Sequence, residues 1–226
     1  MSEQEKTQIL RGSLIFSSLD HAELDELARL SVERSFNEGD FIFWEEDAPE
    51  LFYIIAQGRI KVIKHASSGK EFIVAFFSEG DMFGEVAVFE NKPYPASAQA
   101  IAETKVVGIK QADFLKFLSQ RPQVALRIIN ILGGRLREAQ TRLSDFAGER
   151  VDQRVFRILL MLYSKIGKEL PFTRQEIADM AGTTTETAIR IISRLITASI
   201  IKSGRGRISI LDENRLRLLS QGPPHI

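Results

Sequence analysis

Two charged residues near the C-terminus, Glu186 and Arg190, lie four apart, so in a helix they share one face. Arginine can donate two hydrogen bonds to O6 and N7 of guanine, and glutamate can accept one from N4 of cytosine. A carboxylate facing DNA is otherwise repelled by phosphate. Its place beside Arg190 therefore points to base readout rather than simple attraction. Thr185 and Ile189 fall on the same exposed N-terminal part of the helix. An isolated Glu-x-x-x-Arg would mean only a surface ion pair worth ~0.3–0.5 kcal/mol. The reading thus depends on the elements around it.

Other chemistry is thinly represented. The chain has no cysteine, which removes disulfides, thiolate nucleophiles, Cys-type zinc sites and iron–sulfur clusters together. His21, His65 and His225 are scattered, no pair sits at metal-ligand spacing, and no metal site is expected. No nucleophile-elbow pattern occurs, so nothing supports an enzyme. There is no apolar run of the ~20 residues a membrane span needs. The polar start MSEQEKTQIL lacks the regions of a signal peptide, so a cytoplasmic location is expected, with no membrane partner.

The elements that would position Glu186 and Arg190 are legible. In TRQEIADMAGTTTETAIRIISRLITASII, Thr173 and Glu176 form a capping-box pattern at the start of a first helix. Ile177, Ala178 and Ala181 give that helix an apolar face, and Gly182 sits where a tight turn needs a left-handed residue. Thr184 caps a second helix whose buried face is Ile191, Ile192 and Leu195. Two short helices joined this way match a helix-turn-helix. The following IIKSGRGRISIL alternates like two strands around a Gly-rich turn, a wing made basic by Lys202, Arg205 and Arg207. From Arg150 onward the chain carries 13 Lys/Arg against 7 Asp/Glu, net +6, and the rest is net −6. Halves of opposite sign suggest two modules, the basic one facing a polyanion.

Upstream, short helices to about Leu30 precede Val-, Ile- and Phe-rich runs from Ser35 to about Lys110, spaced roughly ten residues apart and punctuated by Gly, Asp and Pro. This pattern predicts an antiparallel barrel or sandwich, with HASSGKE as a hairpin turn. After Pro122 a long helix is expected to about Ala147. Its Ala125, Ile129, Leu132, Leu136, Ala139, Leu143 and Phe146 repeat at four and three residues, a heptad seam. The strict period favours a parallel dimer seam over an internal packing face, which would show a wider stripe. Gly133-Gly134 within it marks either a close backbone approach or a pliable point. The fold class is α+β, in three parts: residues 1–121 as a sensing domain, 122–148 as a dimerisation helix, and 149–226 as a winged helix-turn-helix.

These motifs together carry a resemblance. EGDFIFWEEDAPELFYIIAQGRIKV, EGDMFGEVAVF and YPASAQA, then TRQEIADMAG and TTTETAIRIISRL, make the chain similar over nearly its full length to the Crp–Fnr family of bacterial transcription regulators. The resemblance implies a cyclic-nucleotide-binding-type jelly roll, a homodimer on the long helix, and double-stranded DNA and RNA polymerase as partners. It places Glu186 and Arg190 at the two base-reading positions. Thr185 stands where some members carry a third reader, an Arg, so the chain looks like the readers of TTGA-containing half-sites. Thr173, Arg174 and Thr184 match positions that touch phosphate, beside the basic wing residues Arg205 and Arg207. Phosphate contacts set register and base contacts specify.

The resemblance also frames the effector. Gly84, Glu85, Val86 and Ala87 keep the segment that precedes the phosphate-binding Arg of cyclic-AMP-responsive members. At the Arg position this chain has Pro95, which has neither charge nor a backbone donor, so cyclic AMP is not expected as the effector. Two alternatives remain beside cyclic AMP itself. Haem sensing of nitric oxide or carbon monoxide would use His21, His65 or a methionine as ligand, and members with a Tyr-Pro-Ala segment include such sensors. A small organic effector would meet Glu85, Ser97, Arg135, Gln140 and Thr141. A different class, a nucleotide-binding regulatory module of another machine, is compatible with the barrel pattern alone.

Overall fold

A computed structural model describes residues 1–65, 71–148, 150–204 and 206–221, with the side chains of 72 and 142–148 outside that description. Two short helices come first, α1 (Glu3–Gly12) and α2 (His21–Leu30). Both start on a capping box, Ser2 with Glu5 and Asp20 with Glu23. Eight strands and a short helix follow: β1 (Ser31–Phe36), β2 (Phe41–Phe43), β3 (Leu51–Gln57), β4 (Arg59–His65), β5 (Glu71–Ser78), β6 (Met82–Phe83), α3 (Glu85–Glu90), β7 (Ser97–Ala100) and β8 (Thr104–Lys110). They form two four-stranded antiparallel sheets, ordered β1-β8-β3-β6 and β2-β7-β4-β5. The expected hairpin turn lies outside the described residues, but its strands pair from Arg59↔Ser78 to His65↔Glu71.

The run LFYII in β3 is continuous in sequence because both faces of the strand are covered. Leu51, Tyr53 and Ile55 point into the core between the sheets, with Phe43, Phe83, Tyr94 and Val106. Phe52 and Ile54 point outward into a second core closed by Leu10, Phe16, Leu24, Leu27, Phe114 and Phe117. Phe43 stacks on Tyr94 at 3.7 Å between centroids, and Phe52 stacks on Phe114 at 4.2 Å. The β3–β4 turn needs Gly58: its φ is +89°, and a Cβ there would lie 2.3 Å from the Glu103 carbonyl oxygen.

Helix α4 (Gln111–Gln120) leads into the long α5 (Pro122–Gly148). The packing divides the chain into two units, Met1–Leu136 and Arg137–Ile226, and the division falls inside α5. The heptad reading of α5 missed one face. Val124 and Ile128 are buried in the outer core of the first unit, and Leu132, expected in the seam, packs partly against that core too. Ile129 and Leu136 stay 62% and 60% exposed, Ala139 is exposed and Ala125 half-buried. Leu143 and Phe146 lie among the side chains outside the described set. The helix runs unbroken through Gly133-Gly134, and a Cβ on Gly134 would meet nothing within 4 Å among the described residues.

The second unit holds α6 (Val151–Ile166), β9 (Glu169–Leu170), α7 (Arg174–Met180), α8 (Thr185–Thr197), β10 (Ile201–Gly204), β11 (Arg207–Ile210) and α9 (Glu213–Ser220). Its strands form a sheet ordered β10-β11-β9. Val155, Leu159 and Leu162 of α6 are buried, as are Ile177, Ile192, Leu195 and Ile208. No helix among the described residues is long and apolar enough to cross a membrane.

Candidate nucleic-acid interface and effector cavity

Helix α7 starts on a complete capping box. The Thr173 hydroxyl oxygen accepts from the Glu176 N–H at 3.2 Å, and the Glu176 carboxylate accepts from the Thr173 N–H at 2.9 Å. The helix ends at Ala181, and Gly182 reverses the chain with φ +58°. Thr184 then caps α8 by accepting from the Thr187 N–H at 3.3 Å. Ala188, Ile191, Ile192 and Leu195 form its buried face. The opposite face presents Glu186, Ile189 and Arg190, all exposed. Neither Glu186 nor Arg190 makes a hydrogen bond or ion pair to another described residue. They are therefore not spent on each other as a surface pair.

Thr185 sits half-buried beside them, and its hydroxyl donates to Oε1 of Gln175 on α7. The Gln175 amide donates in turn to Asp179 at 2.8 Å. The inter-helix turn has a further support: Nε of Arg154, on α6, donates to the Ala181 carbonyl at 3.0 Å, and an Nη donates to that of Gly182 at 3.4 Å. Arg174 is half-buried, and Thr173, Thr184, Lys202 and Arg207 are exposed. Arg205 lies outside the described residues, between β10 and β11, which pair antiparallel from Ile201↔Ile210 to Gly204↔Arg207.

The first unit has an open cleft of about 180 Å³ beside α3. Its walls include Phe43, Phe77, Phe83 and Tyr94, with Pro95 and Ala96 at the segment before β7. Among the described residues two charged side chains line it, Glu85 and Arg135. They are paired, Arg135 Nη1 to Glu85 Oε1 at 2.7 Å, while Arg135 Nη2 donates to the Met82 carbonyl at 2.6 Å. The guanidinium carbon also stands 4.3 Å from the centre of the Phe77 ring, a cation–π geometry. The Glu85 side chain is only 6% exposed. Burial pushes its carboxyl above the usual range, and the attraction of Arg135 works against that shift.

A family model of the cyclic nucleotide-binding domain matches residues 33–121, and one of the Crp-like helix-turn-helix domain matches 153–219. The chain is 32% identical over 219 residues to the nitrogen fixation regulation protein FixK of Bradyrhizobium diazoefficiens, covering 93% of this chain and 91% of the relative. The chain belongs to the Crp–Fnr family of transcription regulators. It is also 27% identical over 214 residues to the cyclic AMP receptor protein of Thermus thermophilus, with 94% and 99% covered. The solved structure of FixK2 from Bradyrhizobium japonicum superposes with a TM-score of 0.74 at 27% identity, over 84% of this chain and 96% of that one. These relatives are transcription regulators, not enzymes, and the helix-turn-helix sets aside a regulatory module of another machine.

For a Crp–Fnr regulator, the placement of the expected effector residues is mixed. Gly84, Glu85, Val86 and Arg135 line the cavity. Ser97 does not. It is fully buried in β7, and its hydroxyl oxygen accepts from the Glu45 N–H at 2.8 Å, so it is spent on holding β7 to the segment that follows β2. Gln140 and Thr141 are exposed on α5 beyond Leu136, in the other unit. Sequence reasoning missed Arg154, Gln175 and Phe77. Each acts across 10 to 58 residues of chain, between elements, so no local spacing announces it.

Proposed function

We propose that this regulator reads TTGA-type palindromic half-sites as a homodimer, controlled by a small organic effector other than cyclic AMP. The observation that carries the DNA reading is the state of Glu186 and Arg190: exposed, side by side on a capped helix, and unpaired within the described residues. Leaving a carboxylate and a guanidinium unspent suits groups that take their partners from base edges. The exposed Ile129, Leu136 and Ala139 on α5 supply an apolar stripe for a second copy, and two recognition helices then meet half-sites one DNA turn apart.

For the effector, the cavity of about 180 Å³ is small beside the ~300–1,000 Å³ of ordinary ligand sites. Its cationic group, Arg135, is already engaged by Glu85, Met82 and Phe77, and Pro95 offers a phosphate nothing. The lining residues do not fit haem. No histidine or methionine is among those described, His21 pairs with Asp25 on α2, and His65 lies against Glu45 and Glu71.

The test is fluorescence anisotropy with duplexes carrying either a TTGA palindrome or a TGTGA palindrome, combined with sedimentation of the free and bound protein. Tighter binding to the TTGA duplex by a dimer, weakening steeply with salt as counterions are released, is the expected result. Equal affinity for both duplexes, or a monomer with and without DNA, would overturn it. Calorimetry with cyclic AMP is expected to show no stoichiometric binding.

A further inference from the structure

The cleft beside α3 presents apolar surface to water. Among the described residues that line it, only Glu85, Tyr94 and Arg135 carry polar side-chain atoms. Each is already paired inside the first unit. Arg135 donates to Glu85 and to the Met82 carbonyl. The Tyr94 hydroxyl donates to the Leu51 carbonyl at 2.8 Å and accepts from the Leu51 N–H at 3.3 Å. The apolar walls are left wet: Val62, Ala75 and Phe77 are half-buried, Pro95 is exposed and Val86 is 40% exposed. Apolar surface in a concave site is what a ligand can remove from water.

We infer that the cleft takes a neutral, apolar molecule about the size of one aromatic ring, and that this is the chemical class of the effector. The second half rests on the effector control proposed above. An anionic ligand would have to draw Arg135 away from Glu85 and leave a buried carboxylate without its partner. A cationic ligand would have to draw Glu85 away from Arg135. Either exchange carries the cost of breaking a buried pair. A neutral apolar ligand leaves the pair intact and covers Phe77, Val62 and Ala75. The space of about 180 Å³ sets the size, since an apolar cavity of ~150 Å³ holds benzene.

The experiment uses the full chain at neutral pH with three probes of similar shape: ethylbenzene, benzoate and benzylammonium. Ligand-observed NMR titrations give the affinities, and spectra of methyl-labelled protein locate the site. Ethylbenzene should bind at least about tenfold tighter than either charged probe, because a charge must leave water to enter the cleft. It should shift the methyl signals of Val62, Ala75 and Val86. Those of Leu218 and Leu219, which border an apolar groove in the second unit, should stay in place. Ala75→Leu and Ala96→Leu each add carbon to the lining, and each should weaken ethylbenzene by about tenfold or more. The methyl shifts locate the site in the parent protein even where a variant folds poorly.

Three results would overturn the apolar class. A charged probe could bind the cleft as tightly as ethylbenzene. Ethylbenzene could fail to saturate the protein, or shift only methyl signals outside the cleft. Its binding could survive both substitutions in folded protein. Anisotropy with the operator duplex tests effector control separately, and ethylbenzene should change DNA affinity by about fivefold or more. Cleft binding without that change would overturn effector control and leave the binding site standing. A charged probe that bound better and also changed DNA affinity would do the reverse.

Discussion

The protein contains two Glu–Arg constellations of opposite design. Glu186 and Arg190 lie one helical turn apart on α8, exposed and unpaired among the described residues. Glu85 and Arg135 lie fifty residues apart and meet at 2.7 Å with the carboxylate buried. The side chains are chemically the same, so the difference lies in what surrounds them. Water solvates the first pair and keeps both groups available for another molecule. Protein surrounds the second pair, where a lone charge costs several kcal/mol and each group must satisfy the other. Availability therefore marks the interface, and satisfaction marks the structural joint.

The largest expected effect breaks that contrast at the exposed pair. Arg190→Ala removes a bidentate contact, so affinity for the operator should fall by about 1–3 kcal/mol per half-site and selectivity at one base pair should relax. Stability should change by no more than ~0.5 kcal/mol, because the exposed side chain makes no hydrogen bond, ion pair or ring contact to a described residue. Anisotropy against single-base operator variants and chemical denaturation measure the two halves of this prediction. A large loss of stability would show that Arg190 is structural after all.

At the buried pair the balance should invert. Arg135→Met keeps the stem of the side chain and strips the carboxylate of its partner. With Arg135 itself 26% exposed, we expect a loss of about 2–3 kcal/mol of stability at neutral pH, somewhat below the cost of breaking a fully buried pair. The loss should depend on pH with a defined sign. Removing the cation raises a folded-state carboxyl pKa that burial has already raised. Such a group favours the folded state while protonated, and its contribution is lost as pH rises through the folded value. The variant should therefore approach the parent at acid pH and fall away from it as pH climbs above the ordinary glutamate range. Parallel denaturation curves at each pH test this, and a pH-independent deficit would contradict the buried-charge account.

How much of this is legible in the sequence depends on the distance along the chain. Thr173 with Glu176, Gly182 and Thr184 announce the helix-turn-helix because each acts within four residues. The apolar run LFYII announces a strand, and the structure adds that both of its faces are covered. The heptad in α5 shows the exposed Ile129 and Leu136 but hides Val124 and Ile128, because a helix can serve two faces while one period is read. Ser97 shows how type alone underdetermines a role: buried in β7 and outside the cleft lining, its hydroxyl oxygen accepts from the Glu45 N–H. Glu85 and Arg135 are both singled out by sequence, but their pairing with each other is not, and Arg154 is invisible for the same reason as that pairing: its partners, Ala181 and Gly182, are 27 and 28 residues away. It offers an intermediate test. Arg154→Met should loosen the turn that presents α8 and cost about 1–2 kcal/mol, shared between stability and DNA affinity. A variant unchanged in both would remove Arg154 from the support of the interface.

The smallest effect separates pairing from charge. Glu85→Gln keeps an oxygen that can accept from Arg135 Nη1 and removes the negative charge from the cavity. In the parent, burial outweighs the pull of Arg135 on the carboxyl, so ionising Glu85 opposes folding. The glutamine variant escapes that opposition but leaves Arg135 with a neutral partner, and a charge-assisted hydrogen bond weakens. The two terms have opposite signs, and we expect a net change below ~1 kcal/mol at neutral pH. Their pH dependence does not cancel. The parent should lose stability as pH rises above the ordinary glutamate range, while the substituted amide cannot titrate, so the variant should gain on the parent across that window. In the double variant with Arg135→Met, most of the single-variant deficit should disappear, because no buried charge is left without a partner. If Glu85→Gln instead proved as damaging as Arg135→Met at every pH, the pair would be held by its ionic attraction rather than by mutual satisfaction. The contrast with Glu186 and Arg190 would then rest on exposure alone.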